Sequence, residues 1–222
     1  MSVATEHMLI ETLSRAARGE FPAGDGRAEA VGELHGTCDV LAAFAHHVVV
    51  AADVSQSWVN QHHSDDTGHR GEDPSSGVVN LISALATELG NPPMAVSLLM
   101  AAPPKSGYLS GKITEGGEPD PGWAAYRTDI RTYQYESTGS AGAFAIGRGP
   151  GDRWEVFFRV DHGPGGRVGR ELLSAAKTVT PERGVLFGST PLHDPRIIRI
   201  ASASGFLPIC TEVLFLTRPR GR

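Results

Sequence analysis

Cysteine is nearly absent from this chain: its 222 residues hold two, Cys38 and Cys210. They lie far apart and outside any CxxC or metal-ligand spacing, so they read as free thiols of a reducing compartment rather than as a disulfide. Long apolar runs are missing as well. No stretch approaches the ~18 consecutive apolar residues of a membrane span. Residues 1–20 carry Glu6, Glu11 and Arg15 where a signal peptide needs an unbroken apolar core. A cytoplasmic protein with no membrane partner is the expectation. A basic excess is lacking too. The 20 Lys and Arg against 25 Asp and Glu leave a net charge of −5, whereas a nucleic-acid partner selects a basic face. No nucleic acid is expected.

What remains is ordinary for a folded chain, 40% apolar and 20% charged. The length suffices for one large domain or two small ones. The 27 Gly and 15 Pro imply many turns.

In the N-terminal half, residues 6–18 form an amphipathic pattern with Met8, Leu9, Leu13, Ala16 and Ala17 on one side. Residues 27–34 alternate as a strand does. Residues 42–53 hold the densest apolar run of this half, Phe44-Ala-His-His-Val-Val-Val-Ala51, and read as one buried strand. Residues 61–75 have no periodicity and read as an exposed loop. Ser76 then caps a helix with Val78, Leu81, Ile82, Leu85 and Leu89 on one face, and Gly90 stands where a left-handed C-terminal cap belongs. Residues 94–101 read as another buried strand. Residues 102–122, rich in Pro, Gly and charge, make the best boundary. The expected division is an N-terminal α/β segment, 1–120, and a second domain, 121–222.

The second domain opens with a short helix over 123–127. Three short strands joined by tight turns follow (130–135, 143–146 and 153–160), which is the pattern of an antiparallel meander. The last strand runs into Asp161-His-Gly-Pro-Gly-Gly-Arg-Val-Gly-Arg170. A helical pattern over 171–179 comes next, with Val168, Leu172, Ala176 and Val179 at helical spacing, and then a strand over 185–189. Asp194 suits an N-cap and Pro195 the first helical position. Ile197, Ile200, Ala201 and Ser204 make a stripe closed by Gly205, and a strand over 207–217 ends the pattern. Strand, glycine loop, helix, strand and helix present backbone amides at the first crossover. Helix N-termini and glycine loops bind phosphate because unpaired N–H groups and the helix dipole both point at the anion. A phosphate-bearing ligand is expected at residues 163–169.

This order of elements resembles the GNAT (GCN5-related N-acetyltransferase) superfamily over about residues 129–215. Trp154-Glu-Val-Phe-Phe-Arg-Val-Asp161, Gly169-Arg-Glu-Leu-Leu173 and Ser204-Gly-Phe-Leu-Pro-Ile209 carry the likeness. The whole chain is similar to actinobacterial GNAT-like proteins with an extra N-terminal α/β segment. The resemblance implies an α/β fold with a GNAT-type mixed sheet in the C-terminal half, the N-terminal segment being a second α/β layer or a degenerate copy of the same fold. It implies acetyl-coenzyme A as co-substrate and an amine, of a small molecule or a protein, as acceptor. The coenzyme would lie against Val160, Asp161, His162, Gly163, Gly165, Gly166, Arg167, Val168, Gly169, Arg170 and Asp194. Amides of Val160 to His162 would polarise the thioester, and Glu155 would be the general base.

The chain departs from the family at several of these positions. The family loop, Gln/Arg-x-x-Gly-x-Gly/Ala, is Pro164-Gly-Gly-Arg-Val-Gly169 here, with only the last Gly in place. The usual Asn of the second helix is Asp194, and the usual Tyr acid falls at Ala201. A rival reading follows: an inactive GNAT-like module that binds a ligand or partner.

Other candidates are weaker. Tyr133 and Tyr135 could line a cleft, though aromatic strand residues usually pack. His46 and His47 cannot face one way on a strand. His62, His63, Asp65, Asp66, His69, Glu72 and Asp73 have no recognised ligand spacing, and no metal is expected. Cys210 lacks an identifiable base. Ser189-Thr190 is not in a Gly-x-Ser-x-Gly elbow.

Overall fold

The computed structural model describes residues 7–34, 36, 38–63, 75–103, 111–181 and 184–216. In chain order its elements are α1 Met8–Ala16, β1 Arg27–Ala30, β2 Cys38–Phe44, β3 His47–Ala51, α2 Gln56–His63, α3 Ser75–Glu88, β4 Ala95–Ala102 and β5 Lys112–Glu115. There follow α4 Pro121–Ala124, β6 Thr128–Ser137, β7 Ser140–Arg148, β8 Trp154–His162, α5 Gly165–Val179, β9 Leu186–Pro191, α6 Pro195–Ala203 and β10 Leu207–Leu216. They form two compact units, Met1–Ser97 with Cys210–Arg222, and Leu98–Ile209. The division falls inside β4 and inside β10.

In the first unit the strands run in the order β1-β3-β2-β10, with β1 parallel to β3 and the other pairs antiparallel. Leu41, Val50, Val59, Leu81, Leu85, Val213 and Phe215 make its core. Gln56 covers the edge strand, accepting from Ala30 N and donating to Ala28 O, both at 2.8 Å.

The apolar run read as one strand over 42–53 is instead the junction of a hairpin. β2 and β3 pair antiparallel, and His46 turns the chain with φ 59°. Both strands are buried, so apolarity continues through them. The turn lacks the Gly, Asn or Pro that advertises one. Residues 56–63, within what read as featureless chain and loop, are helical.

The second unit is α/β with a mixed sheet in the order β4-β9-β8-β7-β6-β5. The expected meander is β6, β7 and β8, paired antiparallel, and it extends to β5, whose polar sequence had read as boundary. Tyr133 stacks on Phe144 with ring centroids 4.9 Å apart, an arrangement worth ~0.5–1.5 kcal/mol beyond area burial. α5 lays Val168, Leu172, Leu173, Ala175 and Ala176 against this core. Lys177, near the end of α5, donates to Ser204 O beyond α6 and so ties the two helices.

The strand pair β8–β9 positions everything that follows. It is parallel and, among the described residues, pairs only at Trp154↔Leu186 and Glu155↔Phe187. Beyond Glu155 the strands part, and α5 and α6 begin at the open end.

Candidate functional site: an arginine-rimmed cavity leading into the sheet

The turn after β8 requires glycine. Gly163 has φ +99°, and a Cβ there would stand 2.7 Å from Gly139 O. Helix α5 then starts earlier than the sequence suggested, at Gly165, because Pro164 O already accepts from Arg167 N at 2.9 Å and Val168 N at 3.0 Å. The expected loop is therefore a helix N-terminus. Gly165 and Gly166 precede the first helical donor, Arg167 N, so their amides point out of the helix end. A Cβ on either would meet nothing within 4 Å, which leaves their backbone open to a ligand. Gly169 works the other way. A Cβ there would come 2.9 Å from Ile200 Cγ2 and 3.1 Å from Phe158 Cε2, so its absence lets α5, α6 and β8 converge.

That convergence makes the floor of an open cavity of about 1050 Å³. Phe158 and Val160 of β8, Ile197, Ile200 and Ala203 of α6, and Pro164, Gly165 and Gly166 at the helix end supply its surface. Arg167, Arg170, Arg196 and Arg199 stand around it, against the one carboxylate of Asp194. Four cations, two open amides and the positive end of a 15-residue helix all favour an anion, and a multiply charged one.

Asp194 caps α6 as expected, accepting from Arg196 N at 3.0 Å and Ile197 N at 3.4 Å. Its hydrogen bond to the Arg196 side chain, together with those amides, holds its carboxyl below the usual range. Arg167 is drawn sideways. Its Nη2 donates to Ser140 Oγ at 2.7 Å and its Nε lies 3.8 Å from Glu171 Oε1.

A second cavity of about 280 Å³ continues inward between the parted strands, sharing Phe158, Asp194 and Ile197 with the first. Its walls are mainly apolar: Met100, Trp123, Val156, Phe157, Leu173, Ala201 and Phe206. Ser189 Oγ and Thr190 Oγ1, on β9 along the same wall, are buried without a hydrogen-bond partner.

Of the residues singled out from sequence, Val160, Gly165, Gly166, Arg167, Arg170 and Asp194 are brought together in the outer cavity. Asp161, His162, Gly163, Val168 and Gly169 do not line it. Asp161 is turned to Arg159, 2.7 Å away, His162 is exposed at the strand end, and Val168 and Gly169 are buried in packing. Arg196, Arg199 and the apolar floor were missed. The signal for the arginines was present in retrospect: an N-cap at Asp194 places residues two and five positions later on the first turns of α6, beside α5.

Glu155 lines neither cavity. It is fully buried, accepting from Arg127 Nε at Oε2 and from Arg153 Nε at Oε1, each at 2.7 Å. Burial alone would raise its pKa, but the charges and hydrogen bonds of Arg153 and Arg127 outweigh it, and the carboxyl is held below its ordinary value. Arg127 is itself packed over the rings of Trp123 and Tyr126. A general base must meet a substrate proton and accept it. This carboxylate is enclosed and already saturated, so its geometry is that of a structural ion triad.

Tyr133 and Tyr135 are core residues, and Tyr135 Oη donates to Glu171 Oε2 at 3.2 Å. His46 is a turn residue, whereas His47 pairs with Asp25 at 3.0 Å. His62 and His63 end α2, and Asp65, Asp66, His69, Glu72 and Asp73 lie outside the described residues. Among the described residues no group of three His, Cys, Asp or Glu could hold a metal ion. Nor is any helix there long and apolar enough to cross a membrane.

No family model matches the sequence, and no curated protein matches it. Among solved structures, the chain is similar to one described as a GCN5-related N-acetyltransferase from Kribbella flavida. The two are 12% identical over 99% of this chain and 98% of that one, with a TM-score of 0.37. A likeness of that degree fixes neither fold nor activity.

Proposed function

We propose that the chain binds an acyl-coenzyme A and transfers its acyl group to an amine. The observation that carries this reading is the continuity of two chemically different cavities. The outer one is rimmed by cations and amides suited to a diphosphate, and the inner one is a narrow apolar slot between β8 and β9. An acyl-coenzyme A has that polarity along its length, a nucleotide diphosphate and a pantetheine arm that would cross the apolar floor of the outer cavity, then an acyl group that would enter the inner one. Amides of Gly165 and Gly166 would meet the pyrophosphate, and Arg170, Arg196 and Arg199 would neutralise its charge. The arm would run over Phe158 and Ile197.

The nitrogen of the neutral amine attacks the thioester carbonyl, a C–N bond forms, and the C–S bond breaks. The proton from nitrogen leaves through the open outer cavity to water, and the departing thiolate takes one from water. The chain's contribution is position and electrostatics. Holding amine and thioester together removes much of the entropic barrier. Backbone N–H groups of β8 beyond Glu155, freed by the parting from β9, would stabilise the developing oxyanion. Glu155 would fix the strand that carries those groups, through Arg127 and Arg153, rather than move a proton.

The test is calorimetric titration with coenzyme A, followed by a thiol-release assay over a panel of amines. Binding together with turnover supports transfer, and an absence of binding at millimolar coenzyme A overturns the reading. One observation favours the rival of a binding module without catalysis: Asp194 is the one carboxylate lining the inner cavity, and it is engaged in capping α6. Tight coenzyme binding with no turnover on any amine is its expected signature.

A further inference from the structure

We infer that the inner cavity seats an acyl group larger than acetyl, about six to eight carbons long, and that Gly188 and Ala201 set this size. The inference rests on the acyl-coenzyme A reading and names its substrate class. Protein interiors hold few voids larger than a water molecule, and an unfilled apolar cavity destabilises in proportion to its volume. Here about 280 Å³ stays open in the second unit. Taking ~30 Å³ for each water-sized group, it has room for about nine. An acetyl group fills about a third of that.

The space exists because two wall positions are small. Gly188 lies on β9, where a Cβ would stand 3.5 Å from Val156 Cγ1 and 3.7 Å from Phe206 Cε1, ordinary contact distances. Nothing in the packing therefore requires glycine there. Its extended position leaves room that a larger residue would take. Ala201 lies on α6 and is 7% exposed. With Met100, Leu173 and Phe206 as the remaining apolar wall, a hydrocarbon chain entering past Phe158 would find dry contact along its length. Besides Asp194, the polar groups of this wall are the hydroxyls of Ser189 and Thr190, both buried without a partner. Thr190 is 3% exposed and its hydroxyl oxygen is enclosed, so the surface met by the chain stays mainly apolar.

The experiment measures the affinity of the full chain for coenzyme A, acetyl-coenzyme A and hexanoyl-coenzyme A by calorimetry. Each buried methylene is worth about fourfold in affinity. Four further carbons predict a hexanoyl preference over acetyl of up to about 250-fold, with about tenfold as the lower bound. Ala201→Leu should bring the ratio of the two affinities close to one. Gly188→Ala, which adds one methyl at ordinary contact distance, should lower it several-fold and serves if the leucine variant does not fold. Equal affinities for acetyl- and hexanoyl-coenzyme A in the unsubstituted chain, with coenzyme A itself bound, would overturn this inference and leave acyl transfer standing. Failure of coenzyme A and both thioesters to bind would overturn the two together.

Discussion

Arg127 Nε lies 2.7 Å from Glu155 Oε2, twenty-eight residues away in sequence, and both side chains are almost completely buried. Arg153 holds the other carboxylate oxygen at the same distance. The triad thus joins the segment between α4 and β6 to the start of β8, immediately before the point where β8 leaves β9. Replacing Glu155 by Ala would leave two buried guanidinium groups uncompensated, and removing one partner from a buried ion pair costs about 3–5 kcal/mol. Urea denaturation should report a loss of that order. A loss under 1 kcal/mol would show that the triad does not hold the strand.

The same triad sets an acid sensitivity. Glu155 has its folded pKa lowered from an ordinary 4.5. For a depressed acid the stabilisation is complete above the unfolded value and is lost as pH falls through the folded one. Stability of the unsubstituted chain should therefore decline as pH drops below about 4.5. Glu155→Gln, which cannot titrate, should be less stable at pH 7 and should show a shallower decline. Parallel stability curves for the two proteins between pH 3 and 6 would contradict the assignment.

How much of this was visible in the sequence depended on where the information lay. The meander and the βα succession were legible because Gly and Pro punctuate them and because α5 and α6 repeat apolar residues at helical spacing. The hairpin of β2 and β3 was not, because Ala45 and His46 carry no turn signature. β5 was hidden by its exposed residues Lys112, Thr114 and Glu115, and α2 by having Val59 as its one fully buried side chain. In the site, the helix-end amides were readable from Gly165 and Gly166. The inner cavity was not, since it arises from the parting of two strands. Glu155 was misassigned to proton transfer for a related reason. Its partner Arg127 is brought to it by tertiary structure, although Arg153, two residues away on the same face of the strand, was in plain view.

The arginine rim makes a salt-dependent prediction. Arg196 and Arg199 are exposed, so each contributes a screened attraction rather than a buried ion pair. The double substitution to Ala should weaken coenzyme A binding about tenfold, on the scale of 1.4 kcal/mol per tenfold change. It should also flatten the dependence of affinity on ionic strength between 50 and about 500 mM salt. An affinity independent of salt in the unsubstituted protein would argue that the phosphates lie elsewhere.

Gly163 offers a test of the turn that aims α5. Alanine there would be forced to φ +99° with its Cβ 2.7 Å from Gly139 O. Strain of this kind costs about 1–3 kcal/mol. Thermal unfolding of Gly163→Ala should occur at lower temperature, and its coenzyme A affinity should fall as the Gly165 and Gly166 amides move. Gly166→Ala, where an added Cβ meets nothing, is the matched control for stability. Equal melting temperatures for the two variants would contradict the role given to the turn.

Asp194 separates two contributions that usually travel together. It caps α6 through the amides of Arg196 and Ile197, and it is also the single carboxylate among the described residues lining the outer cavity. Asparagine caps helices about as well as aspartate but carries no charge. Asp194→Asn should therefore keep the helix start while removing a repulsion toward an anionic ligand and releasing the Arg196 guanidinium, 3.3 Å away, to meet it. Coenzyme A affinity should rise by a few-fold, more at low salt than at high. Asp194→Ala removes the charge and the cap together. It should lower stability by about 1 kcal/mol, and any gain in affinity should be smaller because α6 no longer holds Arg196 and Arg199 in place. If Asp194→Asn instead weakens coenzyme A binding as much as Asp194→Ala does, the carboxylate contacts the ligand directly, as acceptor for a hydroxyl or amide of the arm, and the outer cavity is read wrongly at that corner.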